Sequence, residues 1–280
     1  MVAGKNSLVN QPARDYIFML VIMKSLYFIK MLRAPSVLLA VMALAGGAAL
    51  GQMPGAAGTS AMNAAMIKLF GSNTGFSSRS EFHVLDKAKK ETTAASMNYA
   101  LLDGKTRMEI DLSQVRSADM PPALVPTMKQ LGMDQTIVIS RPDRKVVLSI
   151  FPRAKAYAEI AMSKDEAVAA GKNYLITKAP LGKETIDGHP CEKDKVTLTG
   201  DKGDKLVTTV WYATDMKDFP VKLEMPSEEG SVVIMKFKEV KLVRPDLKEF
   251  EAPAGLTRYA SGEALLDAMA KMQTNPTAKK

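Results

Sequence analysis

Residues 182–212, GKETIDGHPCEKDKVTLTGDKGDKLVTTVWY, decide the fold of this chain. Their dipeptide Asp187-Gly188 tolerates the positive φ angles of a tight hairpin turn, and residues 200–203, GDKG, form a second reversal. A strand is predicted to begin near Glu184 and to end at the first turn. Apolar and polar residues alternate between the two turns, and residues 206–212 are a β-branched and aromatic run. The stretch therefore predicts antiparallel strands joined by short turns, in which the chain rejoins a sheet only after Pro190.

The same two-residue alternation recurs through most of the chain after residue 75, which predicts half-buried strands. In the last of these strands the apolar side changes between Phe237 and Val240, which predicts a bulge near Lys238 or Glu239. The further strands are predicted at residues 76–85, 92–102, 107–112, 135–140, 145–151, 156–162, 221–225 and 231–242.

Short helices are predicted where apolar residues recur three or four positions apart. They lie at residues 61–70, 121–132 and 163–171, and the last begins after Ser261. Ser163 and Glu166 have the spacing of a capping box, and Asp165-Glu166 is interpreted as a solvated helix cap. The predicted fold class is α+β: a strongly curved antiparallel β-sheet, an open half-barrel, covered by a few short helices.

The N-terminus has the order of a secretory signal peptide. Lys24, Lys30 and Arg33 precede an uncharged stretch at residues 37–50, and small residues follow. Cleavage is predicted before Gln52, with residues 56–58 as an alternative position. The competing interpretation is an uncleaved anchor at residues 34–51, which is at the short end for spanning about 30 Å of hydrocarbon.

Four segments make up the predicted domain organisation. Residues 1–51 are an N-terminal extension plus signal peptide, with Met23 or Met31 as the true start. Residues 52–75 are a linker and the first helix, 76–273 a single half-barrel domain and 274–280 a flexible tail. The predicted location is accordingly periplasmic or secreted, with membrane contact only through the signal segment or transiently.

Charge argues against nucleic acid as a partner. Residues 1–51 hold five of the 38 basic residues and one of the 30 acidic residues, so half of the net charge of +8 lies in the segment predicted to be removed. The remainder is mildly basic with lysine and glutamate interspersed, which is not the pattern of a nucleic-acid groove.

Signatures of catalysis and metal binding are lacking in this sequence. The single cysteine, Cys191, excludes an internal disulfide and is predicted to be a small buried side chain, with an intermolecular bridge or a reactive thiol as alternatives. His189 and Cys191 lie two residues apart, but a structural zinc site needs four ligands and the only other histidine is His83. No nucleophile or phosphate-loop motif is present. The sequence therefore predicts no enzyme, no cofactor and no metal.

Several short motifs carry a resemblance to known proteins: GKETIDGHPC at 182–191, VWY at 210–212, FPV at 219–221 and FEAPAGL at 250–256. With these motifs the chain resembles the lipoprotein-carrier superfamily of LolA and LolB-like periplasmic proteins, and within it an uncharacterised exported bacterial family. The resemblance covers most of the chain after the signal segment and implies a curved half-barrel closed by helices, with an apolar concave face for acyl chains or another hydrophobic partner. None of these residues matches the arginine that gates the carrier itself, so lipoprotein transport is not implied.

Two functions remain open at this stage. The first is a non-enzymatic binding or carrier protein for a lipid or a lipid-modified protein, and flexible methionines suit such a binding face. The second is an envelope scaffold or interaction module with a filled core and an envelope protein as partner. The residues predicted to bind the hydrophobic ligand are Met97, Tyr99, Met108, Ile110, Val210, Tyr212, Met235 and Phe237.

Overall fold

The computed structural model describes residues 56–274, except 119, 172, 202, 204 and 227–229. The predicted signal peptide lies outside these residues. In the described part, thirteen strands belong to one sheet. They are β1 (Gly75–Leu85), β2 (Glu91–Leu102), β3 (Lys105–Asp111), β4 (Arg116–Ser117), β5 (Gln135–Arg141), β6 (Val146–Phe151), β7 (Ala156–Ala161), β8 (Tyr174–Ile186), β9 (His189–Gly200), β10 (Lys205–Ala213), β11 (Phe219–Pro226), β12 (Val232–Lys241) and β13 (Thr257–Tyr259).

Neighbouring strands are antiparallel, except that β13 runs parallel to β7. Their order is β13-β7-β6-β5-β3-β2-β1-β12-β11-β10-β9-β8, and β4 pairs with the beginning of β2. The first and last strands of this order do not pair, so the sheet is unclosed. The predicted α+β class with a large antiparallel sheet is confirmed.

Short helices accompany the sheet in the described part of the chain. They are α1 (Ala56–Leu69), α2 (Leu124–Gln130), α3 (Lys164–Ala170) and α4 (Gly262–Thr274). Each of these helices is too short or too polar to span a lipid bilayer.

The central hairpin forms as predicted at Asp187-Gly188, where φ is 48° and 90°. Two details of the prediction are wrong. Strand β8 begins at Tyr174 rather than near Glu184, and β9 begins at His189, so Pro190 lies inside a strand. Pro190 is tolerated there because it pairs on one side only, with Thr185, while β10 joins β9 from Cys191 onwards.

Strand β8 forms a long edge of the sheet. Its residues 177–185 are exposed, unlike the half-buried residues of the inner strands. Pairing with β9 shifts by one residue between Pro180 and Gly182, which places a bulge in the middle of this edge.

The predicted bulge in β12 is confirmed. The pairing of β12 with β1 shifts between Arg79, opposite Lys238, and Ser77, opposite Lys241. Glu239 lies in this interval with φ of 51°. The extra residue explains why apolar side chains change sides along one continuous strand.

The predicted helix caps also form. The Ser163 amide donates to the Glu166 carboxylate at 2.7 Å, and the Glu166 amide donates to Ser163 Oγ at 3.1 Å. Ser261 Oγ accepts from the Ala264 amide at 3.1 Å at the start of α4. Glu166 is buried, so its predicted solvation was wrong: the carboxylate is taken up by the cap rather than by water.

We expect Ser163→Ala to lower the free energy of unfolding by about 1 kcal/mol, because it removes the acceptor for the Glu166 amide. Ser163→Thr retains a hydroxyl acceptor and should stay within a few tenths of a kcal/mol of the wild type. Urea unfolding followed by circular dichroism measures both. Equal losses in the two variants would show that the hydroxyl is not the stabilising group.

Buried apolar side chains form three clusters in the described part of the chain. The largest, the central cluster, consists of Ala65, Met66, Leu69, Phe70, Phe76, Phe82, Val84, Ala95, Met97, Tyr99, Leu101, Met108, Ile110, Leu112, Val115, Val138, Val147, Ile186, Cys191, Val196, Leu198, Val210, Trp211, Tyr212, Ala213, Phe219, Val221, Leu223, Met235 and Phe237. The outer cluster consists of Ala100, Leu102, Ile139, Leu148, Ile150 and Phe250. A third cluster joins β6 and β7 to α4 through Met133, Phe151, Ala156, Ala158, Leu265 and Met269.

The central and outer clusters lie on opposite faces of the sheet. Along β2, Tyr99 and Leu101 enter the central cluster, whereas Ala100 and Leu102 enter the outer one. Successive side chains of a strand point to opposite faces, so this alternation assigns the faces. The segment around Phe250 covers the outer face, and α1 covers the central one.

An arginine anchors the segment on the outer face. The Arg141 guanidinium is 6% exposed and donates from Nε and Nη2 to the Asp143 carboxylate, each at 3.0 Å. Its Nη1 donates to the Phe250 carbonyl at 3.2 Å and also contacts the Glu251 carboxylate. The FEAPAGL motif is therefore held against the sheet by a buried charge.

Candidate ligand-binding face

The eight residues predicted to bind a ligand all belong to the central cluster. Their strands place them side by side: Met97 lies opposite Ile110 and Tyr99 opposite Met108 across β2 and β3. Opposite residues of an antiparallel pair share a face, so the predicted alternation selected one face of the sheet. Whether these side chains bind a ligand remains a prediction.

Aromatic rings fill the middle of this face. Phe70 lies 4.7 Å from Phe76, 5.6 Å from Phe219 and 5.3 Å from Phe237 between ring centroids. Tyr99 completes the group, 5.8 Å from Phe76 and 6.1 Å from Phe237. Tilted and edge-to-face pairs at these distances are stabilising, so the face is closed by packing in this structure.

The cover of the central face is provided by the end of α1. Ala65, Met66 and Leu69 are buried against the cluster, and Phe70 follows directly after the helix. Phe70 is the one ring of the five that comes from this cover, because the other four lie on β1, β2, β11 and β12. The aromatic packing therefore joins two parts of the chain that are distant in sequence.

Some hydroxyl groups are buried on this face. Tyr99 Oη, Thr106 Oγ1 and Ser149 Oγ have no hydrogen-bond partner among the described residues. Burial also raises the pKa of the Tyr99 hydroxyl far above its ordinary value, so the group is a neutral donor. A buried hydroxyl without a hydrogen-bond partner costs about 1–3 kcal/mol of stability. A ligand acceptor that hydrogen-bonds to one of these hydroxyls would remove that cost.

The polar border of the central cluster lies near β8. Lys178 Nζ is 3.6 Å from the centroid of the Tyr212 ring, which is a cation–π contact. Burial, together with the nearby Asp194 carboxylate, raises the pKa of the Tyr212 hydroxyl. Tyr212 therefore stays neutral, with a lysine over its ring.

Trp211 is a structural residue. Its ring lies between Lys222 Nζ, 4.0 Å from the centroid, and Lys193 Nζ, 4.8 Å from it. Its Nε1 donates to the Glu184 carboxylate at 2.7 Å, and this bond is the main cause that lowers the pKa of Glu184. The single tryptophan thus connects β8, β9, β10 and β11.

Cys191 is buried, as predicted, and its Sγ donates to the His189 carbonyl at 3.3 Å. Burial raises the pKa of the thiol, which keeps it in the unreactive neutral form. The His189 ring instead contacts Asp215, with Nδ1 2.8 Å from the carboxylate. The two side chains therefore do not converge on one site.

Open cavities in the described part of the chain lie outside the aromatic packing. One of about 470 Å³ is formed by β4, the beginning of β2 and the segment that leads into α2. Another of about 250 Å³ lies beside Arg107, Glu109 and Glu249. Among the eight predicted residues, Tyr99 borders the smaller cavity, and the other seven border neither.

Sequence reasoning missed part of the site. Phe70, Phe76 and Phe219 belong to the aromatic group but were not predicted. Phe76 begins a buried row that continues with Ser78 and Ser80, and these serines concealed its alternation with Phe82. The position of Phe70 carried no sequence signal, because it depends on where α1 crosses the sheet.

Residues 83–220 match the model of a family described as a domain of unknown function, DUF4412. A LolA superfamily protein of Nitrosomonas europaea is 13% identical, with 70% of this chain and 97% of that protein covered and a TM-score of 0.34. The chain resembles LolA-superfamily proteins.

A second solved structure similar to this chain is the Mycobacterium tuberculosis lipoprotein LppX. It is 12% identical, the match covers 64% of this chain and 94% of that protein, and the TM-score is 0.33. No curated protein sequence matches the chain. The resemblance to the LolA superfamily that was predicted from the sequence motifs is confirmed.

The DUF4412 match has a definite place in the structure. It begins at His83 near the end of β1 and ends at Pro220 in β11. It includes the central hairpin and Trp211 but not α1, β12 or the FEAPAGL segment. The cover of the central face and the anchored outer segment therefore lie outside the matched residues.

Proposed function

We propose that this protein is a non-enzymatic binding or carrier protein that holds a lipid-like or other hydrophobic ligand. The ligand lies on the central face, against the eight residues predicted from the sequence, and the sheet curves around it as an open half-barrel. One observation carries the proposal. Four aromatic rings on four strands receive a fifth, Phe70, from a short helical cover. When a ligand binds, it replaces the end of α1 and Phe70 on the central face.

The energies of cover and ligand are comparable. Burying Met66, Leu69 and Phe70 contributes about 1.5–3 kcal/mol for each side chain. An acyl chain contributes about 0.8 kcal/mol for each buried methylene. A chain of about ten carbons therefore offsets the loss of the three cover contacts. This favours long-chain lipids over small apolar molecules.

The buried hydroxyls support a lipid with polar linkages. Tyr99, Thr106 and Ser149 each place a hydroxyl without a partner among the described residues on the central side of β2, β3 and β6. Ester or amide carbonyls of a lipid would accept hydrogen bonds from these groups. A pure hydrocarbon would leave them unsatisfied, at about 1–3 kcal/mol for each group.

The protein is exported to the periplasm or secreted, and its partner is a lipid or a lipid-modified protein. Residues 76–273 form a single functional domain. The short helices serve as its cover.

A second function, an envelope scaffold with a protein partner, is favoured by one observation. The eight predicted residues are each at most 5% exposed, so the face is filled by the protein itself. A filled core needs no ligand. In this case the partner binds an outer surface, and the aromatic rings serve stability alone.

Native mass spectrometry of gently purified protein separates the two functions. The carrier is expected to show adducts with lipid masses, and the delipidated protein should increase the fluorescence of a hydrophobic dye until lipid is added back. The scaffold shows no adduct and no dye response. If crosslinking in cells then recovers an envelope protein while lipid extraction recovers nothing, the carrier function is wrong.

A further inference from the structure

Part of the outer face is not covered by the segment around Phe250. That segment contacts β3 and β5, where Arg107 donates to the Glu249 carbonyl at 2.8 Å and Arg141 donates to the Phe250 carbonyl at 3.2 Å. Strands β8 to β12 lie towards the other end of the strand order, and their outward side chains form a second surface, the lysine surface. It is defined by Lys193, Lys195, Lys222, Lys236, Leu175 and Val207.

Strand pairing places this surface on one face of the sheet. Lys195 of β9 lies opposite Ala179 of β8 and Thr209 of β10. Thr209 lies opposite Glu224 of β11, which lies opposite Ile234 of β12. On β9 to β12, the residues that alternate with these belong to the central cluster. Directly opposite residues of antiparallel strands share a face, so the lysine surface extends across five strands.

The carboxylates that lie among these lysines are already paired. Glu224 contacts Lys222 Nζ at 2.7 Å, and Glu184 contacts Lys193 Nζ at 3.5 Å. Each of the two carboxylates therefore balances one of the four lysines. The other two lysines leave an excess of positive charge.

Lys195 and Lys236 supply that excess, because neither has an ion pair in the described part of the chain. Lys236 lies directly opposite Lys222, and like charges in such a pair destabilise a sheet. On its other side Lys236 lies opposite Glu81, but this carboxylate contacts Lys238 Nζ at 3.0 Å. An external anion near Lys236 would therefore reduce an electrostatic cost within the sheet.

Charges around the lysine surface do not cancel this excess. The turn at residues 201–205 has two aspartates and two lysines. The neighbouring turns at 86–90 and 227–230 together have three lysines and three acidic residues. Two cations and two carboxylates also balance around Lys238, namely Lys238 itself, Arg79, Glu81 and Asp187.

Exposed apolar side chains lie on the same surface as the lysines. Leu175 is 69% exposed and Val207 is 37% exposed. Leu175 lies opposite Thr199 and Val207 opposite Thr197, both on β9, which places the two apolar side chains on the face that carries Lys195. Exposed apolar side chains among lysines are typical of a surface that lies on a bilayer, where the apolar groups enter the head-group layer and the ammonium groups stay in water.

We propose that the lysine surface docks on a bilayer that contains anionic lipids. The lysines match the negative potential of such a bilayer, and Leu175 and Val207 enter its head-group layer. A soluble polyanion would leave the apolar groups in water, and a second copy of the chain would bring lysines against lysines. The inference goes beyond the proposed function, because it needs no ligand on the central face.

Co-sedimentation with vesicles tests the docking. One preparation is phosphatidylcholine alone, and the other is phosphatidylcholine with one-third phosphatidylglycerol. The protein should sediment with the anionic vesicles more than with the neutral ones at about 0.1 M salt. This difference should disappear at about 1 M salt, because the Debye length falls from about 10 Å to about 3 Å.

A double lysine variant assigns the surface. Lys195→Gln/Lys236→Gln should weaken binding to the anionic vesicles about 5-fold for each lysine. Lys129→Gln/Lys155→Gln is the matched control, because both of these lysines are exposed and lie on α2 and in the turn between β6 and β7. All variants carry the same N-terminus, so any contribution of that segment is common to them.

A second pair of variants tests the apolar contact. Leu175→Ser should weaken binding to the anionic vesicles about 5-fold or more, because it removes the most exposed apolar side chain of the surface. Val243→Ser is the control, since Val243 is 73% exposed but follows β12 and does not belong to the lysine surface. Circular dichroism checks that both variants remain folded.

Three outcomes overturn the inference. If the wild type binds neither preparation, or binds both equally, the surface does not dock on anionic bilayers. If the two double lysine variants bind alike, the docking surface lies elsewhere on the molecule. If Leu175→Ser binds as Val243→Ser does, and polyphosphate displaces the wild type from the vesicles, the partner is a soluble polyanion. The lipid adducts expected for the central face are measured separately, so each of these results leaves the proposed function standing.

Discussion

Replacing Phe70 by alanine is expected to lower the free energy of unfolding by about 3–5 kcal/mol. The side chain is fully buried, and its ring contacts Phe76, Phe219 and Phe237 at centroid distances of 4.7–5.6 Å. Its loss leaves a cavity in the middle of the central face, and the rigid rings around it cannot close the space. Urea unfolding followed by circular dichroism measures the effect.

The same substitution separates the carrier from the scaffold. A ligand on the central face no longer has to displace Phe70, whose burial contributes about 1.5–3 kcal/mol, so its affinity should rise about 10-fold or more. Phe250→Ala is the matched control, since Phe250 is equally buried but lies in the outer cluster on the opposite face. Equal affinities of the two variants for a dodecyl-chain probe would contradict a ligand on the central face.

Replacing Arg141 by methionine is expected to cost about 3 kcal/mol. The guanidinium makes charge-assisted hydrogen bonds with Asp143 and Glu251 and donates to the Phe250 carbonyl. Methionine retains the volume of the aliphatic part of the arginine side chain. It leaves the Phe250 carbonyl and the Asp143 carboxylate without the guanidinium as a hydrogen-bond donor. Arg144→Met is the control: Arg144 contacts the same Glu251 but is 45% exposed, so its loss should cost at most about 1 kcal/mol.

The effect of Arg141→Met should depend on pH. The hydrogen bond from Arg141 lowers the pKa of Asp143 in the folded protein below its ordinary value. A carboxyl group whose pKa is lower in the folded protein than in the unfolded chain stabilises the fold at pH values above the unfolded pKa. This stabilisation is lost as the pH falls through the folded pKa. The difference between wild type and variant should be full at pH 7 and shrink below about pH 4. A difference that stays constant down to pH 2 would show that the charge interaction contributes nothing.

Most strands could be predicted because the central face is buried along most of the sheet and imposes a two-residue period. The bulge at Glu239 could be predicted for the same reason, because apolar side chains change sides within one strand only when an extra residue is inserted. Capping at Ser163 and Ser261 could be predicted because the hydroxyl and the amide it accepts from are three residues apart. These features depend on contacts between near neighbours in the chain.

Other features had no local signal. Residues 177–185 of β8 are exposed on both faces, so their side chains show no alternation, and β4 and β13 are too short to show one. The pairing of β1 with β12 joins residues about 150 positions apart, which no periodicity reveals. For the candidate site, eight residues of one face were predictable from their alternation, whereas Phe76 and Phe219 on the same face were missed. The insertion of Phe70 and the position of the larger cavity depend on how helices cross the sheet.

The edge formed by β8 shows how an unclosed sheet avoids unlimited growth. Backbone donors and acceptors along thirteen residues of an edge invite further strands from neighbouring molecules. Pro180 lacks a donor, the irregularity at Gly182 breaks the straight template, and Lys178 and Lys183 bring charge to any approaching chain. Proline, the bulge and the lysines thus make this edge a poor template for another strand, so the sheet can stay unclosed without promoting fibre growth.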